Sequence, residues 1–496
     1  MFVKGLTFLK QCEKKAFTPV RFIVRFLVYF LLGWLLLTHN PFGLADNADR
    51  AFQNAYINWT APFYNETAQE DIVLVTLNSN TIRYLYEKDV IQANSWPLLY
   101  KDHATILKYI FEAAPKAVFV DIYFKDKRST DPTHKHLLNL IKRANSKSIP
   151  LFFAQGYEYE EFTDMQTSLD VHGGLAVNGW ADYSNRYALK LDQEESIAYR
   201  LYKIACLGDR PLESCSPSTL NESDLSPQSF FSVQWGDKAG RVAFPQYSDI
   251  QCKSPLRQLK VDPNSIDRML DTSLKMLSGF FRGWMNSNDA DFNPCMYHSV
   301  IQAEHIVDIT KSINIDQGCS KNVGLKPDNS LELNDAINLC RSLNDKIVIY
   351  TIDIEAATDD FSSPVHGIVP GANRHAMALD NLIANGSEIT YKTDNRLEII
   401  NALVWALVVA VILLREIGFL PGFMLINQRF EHKRLDYYMW ALLPIILASF
   451  TYHFWGSKHY EPMNLLTYLA MVLMLIELIK NEFARKLIDF LENLNK

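Results

Sequence analysis

Glycine and proline number only 20 each in 496 residues, too few for a collagen-like or low-complexity chain. Lysine and arginine (49) are outnumbered by aspartate and glutamate (56), for a formal charge of -7. Without a basic excess, nucleic acid is not an expected partner. Cysteine occurs seven times, which excludes a disulfide-dense miniprotein. There is no P-loop, G-x-S-x-G, H-E-x-x-H or Rossmann glycine fingerprint, no C-x-x-C, and no histidine pair near the cysteines at zinc-ligand spacing. No enzymatic activity, metal or other cofactor is therefore expected. The chain has ample apolar material instead. With 48% hydrophobic and 21% charged residues it is not disordered, and its length suits two or three domains.

The mean hydropathy of -0.07 looks soluble, but it averages over a segregated pattern, with the long apolar runs at the two ends. A helix rising ~1.5 Å per residue needs about 20 mostly apolar residues to cross a ~30 Å hydrocarbon core. Residues 22–38 (FIVRFLVYFLLGWLLLT) form one candidate span, interrupted at Arg25. No clear small-x-small cleavage site follows, so an uncleaved anchor is expected rather than a signal peptide. Residues 399–414, 437–455 and 463–479 form three more, with Pro444 read as a kink. Single buried core helices are the alternative, but three such runs so close together favour a membrane bundle over that reading.

Basic residues set the expected orientation. Lys4, Lys10, Lys14, Lys15 and Arg21 lie in the tail 1–21. Arg415, Arg429, Lys433 and Arg434 lie in the loop 415–436, and Lys480, Arg485, Lys486 and Lys496 in the tail 480–496. The hairpin between the last two spans has only Lys458. Four spans place all three basic stretches and both termini in the cytoplasm, and residues 39–396 outside. Arg25 and Glu477 fall near the cytoplasmic boundary, where snorkelling accommodates them. Cys12 lies in the cytoplasmic tail, whereas Cys206, Cys215, Cys252, Cys295, Cys319 and Cys340 all fall in the outer segment. An even number there suggests disulfides; pairing of sequence neighbours (206–215, 252–295, 319–340) is the expectation.

The outer segment alternates strand and helix signals. Residues 71–77 (DIVLVTL), 116–124 (KAVFVDIYF, ending near Asp121), 150–154 and 346–352 are short apolar runs of the kind that form buried strands. Helical spacing marks 79–87, 98–114 and a late helix at 373–384, and 230–240 is a possible further core strand. This order predicts an α/β sandwich with a largely parallel central sheet.

The run I-V-L-V-T-L-N at 72–78, W-P-L-L-Y-K-D-H-A at 96–104 and A-P-K-A-V-F-V-D-I-Y-F at 114–124 resembles the opening of the type-2 CHASE domain, an extracellular sensory module of bacterial receptors. Residues 174–189, 346–352 and 359–378 resemble its later segments in order, and one span, module, three spans is its arrangement. The resemblance implies a bacterial inner-membrane, multi-pass protein with a periplasmic sensory domain that works as a homodimer or higher oligomer. Two features depart from the family. Asn78 stands where the first strand commonly ends in aspartate, so an acid or metal role is not expected there. Residues 207–344 match poorly and read as a cysteine-bearing elaboration. Family members usually carry an output domain after the last span; here 480–496 reads as an amphipathic helix, lying on the bilayer or gripping a partner.

Trp96, His103, Asp121, Arg374 and His375 are the candidate ligand-binding residues, since ligands favour the carboxyl edge of open α/β sheets. The plainer alternatives are that Asp121 caps a turn, His103 packs its helix on the sheet, and Trp96-Pro97 fixes a helix start. Two functions stay open at this point. One is a non-enzymatic sensory subunit, binding an unidentified periplasmic ligand or protein and signalling through its spans to a separate cytoplasmic output protein. The other is a non-switching assembly subunit of a membrane complex. A periplasmic hydrolase would need Asp121 and His375 to be catalytic and is not favoured.

Overall fold

The computed structural model describes residues 64–155, 163–172, 174–177, 185–191, 194–222, 229–240, 296–313, 341–354 and 360–389, with scattered positions between these and within 23–61 and 403–413. The chain divides into two compact units, Ile57–Tyr391, and Met1–Tyr56 with Lys392–Lys496. In the latter, the described positions of 23–31 and 403–413 are helical. Ile23, Leu27 and Leu31 are exposed at every fourth position; Leu403 and Leu407 are exposed, while Trp405, Val409 and Leu413 are buried. Among the described residues no helix is long and apolar enough to cross a membrane. The candidate spans 437–455 and 463–479 lie outside the described residues, as do parts of 22–38 and 399–414.

In the unit Ile57–Tyr391 the chain forms β1 (Ile72–Leu77), α1 (Ser79–Glu87), α2 (Tyr100–Glu112), β2 (Ala117–Val120), α3 (His134–Ser146), β3 (Leu151–Ala154), α4 (Asp164–His172) and β4 (Leu175–Ala176). Strands β5 (Arg186–Leu191) and β6 (Glu194–Glu195) come next, then α5 (Ile197–Tyr202), which runs into a π-helical turn at Lys203–Leu207, and β7 (Ser229–Ser232). The last described elements are β8 (Ser299–Gln302), α6 (Ala303–Ile313), β9 (Ile347–Ile352), β10 (Phe361–Ser363), β11 (Gly367–Val369) and α7 (Ala372–Asn385).

Six strands form a central sheet in the order β4-β3-β2-β9-β1-β8, every neighbouring pair parallel. The expected α/β fold with a largely parallel sheet is what the chain adopts. Strand side chains alternate between the two faces. Val73, Val75, Leu77, Val118, Val120, Val348 and Tyr350 pack with α1, α2, α3, α4 and α6 on one face. Ile72, Leu74, Ala117, Phe119, Ile347 and Ile349 pack on the other with α5, α7 and the antiparallel sheet β6-β5-β7. All six residues of β1 are buried, which explains an unbroken apolar run rather than an alternating one. Each such aliphatic side chain contributes about 1.5–3 kcal/mol by leaving water.

Strand β2 stops at Val120, beside Asp121 as expected, where the chain turns into a loop. Two details differ from the sequence reading. The stretch 207–344 is not merely peripheral: it supplies β8, an edge of the central sheet, and α6. Of the possible core strand at 230–240 only the first three residues are strand, within β7 of the small antiparallel sheet. Asn78, in place of an aspartate, caps α1 by accepting from Thr81 N at 2.8 Å. Cys206 and Cys215 are disulfide-bonded. Cys252, Cys295, Cys319 and Cys340 lie outside the described residues.

Buried aspartates tie down the loops above the sheet. Asp102 accepts from Gln92 N and Ala93 N. Asp131 accepts from Tyr100 N at 2.8 Å, Thr133 N at 3.0 Å and Arg128 at 3.1 Å, and from the Thr133 hydroxyl. Burial opposes its ionisation, but the bonds from Thr133 and Tyr100 and the charge of Arg128 outweigh that and hold its carboxyl below the ordinary value. The stabilisation is therefore complete above the unfolded-state pKa and is lost as pH falls through the lower folded value. Asp131→Ala should cost about 2 kcal/mol in denaturant unfolding at neutral pH, and the gap from the parent chain should narrow in acid. An unchanged gap in acid would contradict this account.

Candidate functional site

Beyond the last residue of β2, Asp121 N donates to Tyr350 O of β9 at 2.9 Å, so one more bond past the strand fixes the Asp121 backbone at the carboxyl edge. Thr351, next along β9, brings its hydroxyl to 3.5 Å from Asp121 Oδ2. The first turn of α7 arrives at the same edge, and His375 Nε2 lies 3.9 Å from Asp121 Oδ1. His375 Nδ1 is 2.6 Å from the Tyr187 hydroxyl of β5, and its ring meets Phe119 and Tyr187 edge-on. The Asp121 side chain is 13% exposed and that of His375 3%, so solvent reaches the cluster through the carboxylate.

Burial sets the charge of two members of this cluster. Burial, then the neighbouring Arg374 charge, lowers the His375 pKa to about 3, so the imidazole is neutral at physiological pH. Burial raises the Tyr187 phenol well above its ordinary value, so it keeps its proton. Tyr187 Oη and His375 Nδ1 therefore share a hydrogen bond between two uncharged groups, its direction following the tautomer of the ring. Arg374 is 1% exposed; its guanidinium donates to Arg186 O at 2.7 Å and stacks 4.6 Å from the Phe361 ring. Asp353, just past β9, is raised by burial and by Asp360.

Trp96 and His103 sit elsewhere. His103 Nδ1 is 3.1 Å from the Tyr350 hydroxyl, and its ring meets Trp96, Phe124 and Tyr350 edge-on. This cluster belongs to the α2 face of the sheet, whereas His375 packs with Phe119 and Tyr187 on the α7 face. Burial and Arg128 lower the His103 pKa to about 3. The structure therefore joins Asp121 with His375, sets Arg374 alongside, and places Trp96 and His103 in a separate aromatic cluster. Tyr187 and Thr351 complete the first group and carry no local signal: Tyr187 is 188 residues from His375.

Chemically, a carboxylate beside a neutral imidazole and a phenol offers hydrogen-bond acceptance and donation to a polar ligand. Among the described residues, no three of His, Cys, Asp and Glu are grouped to hold a metal ion. A three-layer sandwich of parallel strands with a polar cluster at the carboxyl edge is an architecture that receives ligands at that edge. The chain belongs to the CHASE2 domain family, a family of sensory extracellular domains, whose model matches residues 26–414. No curated protein and no solved structure shows a significant match.

Both buried histidines make folding pH-dependent in one direction. Unfolded histidine binds a proton below about pH 6.5, whereas folded His103 and His375 do so only near pH 3. Between these values the unfolded chain binds more protons, so stability falls as pH falls. His375→Gln should flatten part of that slope in denaturation series run across this range. An unaltered slope would show that His375 is not neutral in the folded chain.

Proposed function

We propose that this chain is a non-enzymatic sensory subunit of a bacterial inner membrane. Its outer domain, residues 39–396, binds a polar small molecule or a periplasmic protein at the Asp121–His375–Tyr187 edge. Four spans hold it in the bilayer, with both termini cytoplasmic, and it signals as a homodimer or higher oligomer to a separate cytoplasmic partner. The observation that carries this reading is the solvent-reached Asp121 carboxylate, held against a neutral His375 at a sheet edge in a sensory extracellular domain family. Membership of that family favours sensing over a purely architectural role. The apolar runs and flanking basic residues support the topology.

Two measurements test it. In the first, cysteine replaces exposed Asn139 of α3 or, separately, Gln428 of the loop 415–436, and intact cells are treated with a membrane-impermeant maleimide. Residue 139 should label in intact cells and residue 428 only after lysis; the reverse pattern would overturn the topology. In the second, the chain is purified in mild detergent with its associated proteins. A co-purifying cytoplasmic protein should change activity several-fold with Asp121→Asn. If that protein's output ignores Asp121, the assembly role replaces the sensory one.

A further inference from the structure

Helix α7 meets three separate constraints along its length. Its first turn carries Arg374 and His375. Farther along, Asp380 and Asn381 hold the segment by which the chain enters this unit: the Tyr64 hydroxyl donates to Asp380 Oδ1 at 2.6 Å, and Asn381 Nδ2 donates to the same hydroxyl at 2.9 Å. His298, immediately before β8, places Nε2 3.1 Å from Asp380 Oδ2, and both side chains are fully buried. Asn381 also brackets the Gln234 backbone, accepting from its N at 2.8 Å and donating to its O at 2.9 Å.

The far end of α7 is gripped by the segment that directly follows the Cys206–Cys215 disulfide. Ser216 N donates to Ile383 O at 2.8 Å, and Ser387 N to Ser218 O at 2.8 Å. Gly386 turns the chain there with φ +55°, and a side chain at that position would strike the Ser218 carbonyl. Every residue from Ala372 to Ala384 is buried, so the helix has no solvent face along which to loosen. Its 14 residues span about 21 Å.

We propose that α7 is a rigid connecting rod: a change at Asp121–His375 displaces the helix, and Asp380–Asn381 and the Ser216–Ser218 grip hand that displacement to Tyr64 and to residues 386–389. The rod takes its input from the ligand-edge reading above, but its coupling exists without any ligand. The Tyr64–Asp380–His298 contacts make the response discrete, since buried polar atoms are costly to leave unpaired and must either keep these partners or exchange them. From residue 389 the chain continues toward the candidate span at 399–414.

Hydrogen–deuterium exchange on the full chain in nanodiscs tests the rod with no ligand present. His375→Gln should speed exchange about tenfold at residues 381–389 and 64–70, while β3 and α2 stay unchanged. His103→Leu, on the opposite face, should affect α2 but not 381–389. Tyr64→Phe removes one hydroxyl; in the double variant with His375→Gln, residues 64–70 should no longer respond to the loss of His375. The proposal fails if the His375→Gln effect stops within residues 372–376, or if exchange accelerates uniformly over the unit. A positive result here alongside a partner indifferent to Asp121 would leave the rod standing and remove the sensory reading.

Discussion

Strand β9 is the constraint on which the unit depends. β1 and β2 are not paired with each other; β9 lies between them, matched to β1 over Ile72–Leu77 and to β2 over Ala117–Val120. Without it, the facing backbone groups of two buried strands would lack partners, and such groups are among the most costly to leave unmade. The chain must therefore travel from residue 77 to residue 347 before its centre closes. Long-range parallel pairing of this kind forms slowly, because loop-closure entropy is lost before the contacts return it. The same insertion brings Thr351 beside Asp121 and starts the short run, β10 and β11, that delivers α7 to the carboxyl edge.

The interior handles its ionisable groups in two ways. His103 and His375 are kept neutral by burial, and each places Nδ1 within hydrogen-bond distance of a tyrosine hydroxyl. Asp380 stays among polar partners, with a phenol on one oxygen and an imidazole on the other. Apolar replacements could pack these positions, yet hydrogen bonds have direction and apolar contacts do not. Tyr64, His298 and Asn381 accept one placement of α7 relative to the incoming segment, and a purely greasy seam would accept several.

The layers and the parallel sheet were legible from sequence because buried parallel strands leave unbroken β-branched runs, as at 72–77 and 347–352, and because 100–112 and 372–385 keep helical spacing. β8 was not. Its four residues, SVIQ, carry no run of that kind and sit within the cysteine-bearing stretch 207–344. The pairing of Cys206 with Cys215 was foreseeable from proximity along the chain. At the candidate site, Asp121 and His375 were legible because both flank strong elements, the end of a strand and the first turn of a helix. Trp96 and His103 looked equivalent to them, since a sequence shows which residues lie near a strand end but not to which face of the sheet they turn. Tyr187 was invisible for a related reason: its partner is fixed by the packing of β5 against α7, and no spacing encodes that.

Parallel strands give the unit a direction. The candidate site lies where strands end, whereas Asp71, just before β1, lies at the opposite edge, bonded to Lys346 at 2.6 Å and to Ser214, within the loop closed by the Cys206–Cys215 disulfide. Any influence of one edge on the other must cross the sheet's full length. A strand conveys it poorly, because β1 and β9 are each hydrogen-bonded to a neighbour on both sides, and sliding one breaks bonds along both ladders. α7 crosses the same distance bound to the sheet only by side-chain contact, which tolerates small shifts at less cost than a broken ladder. Movement of α7 would therefore leave the backbone bonds of the sheet intact.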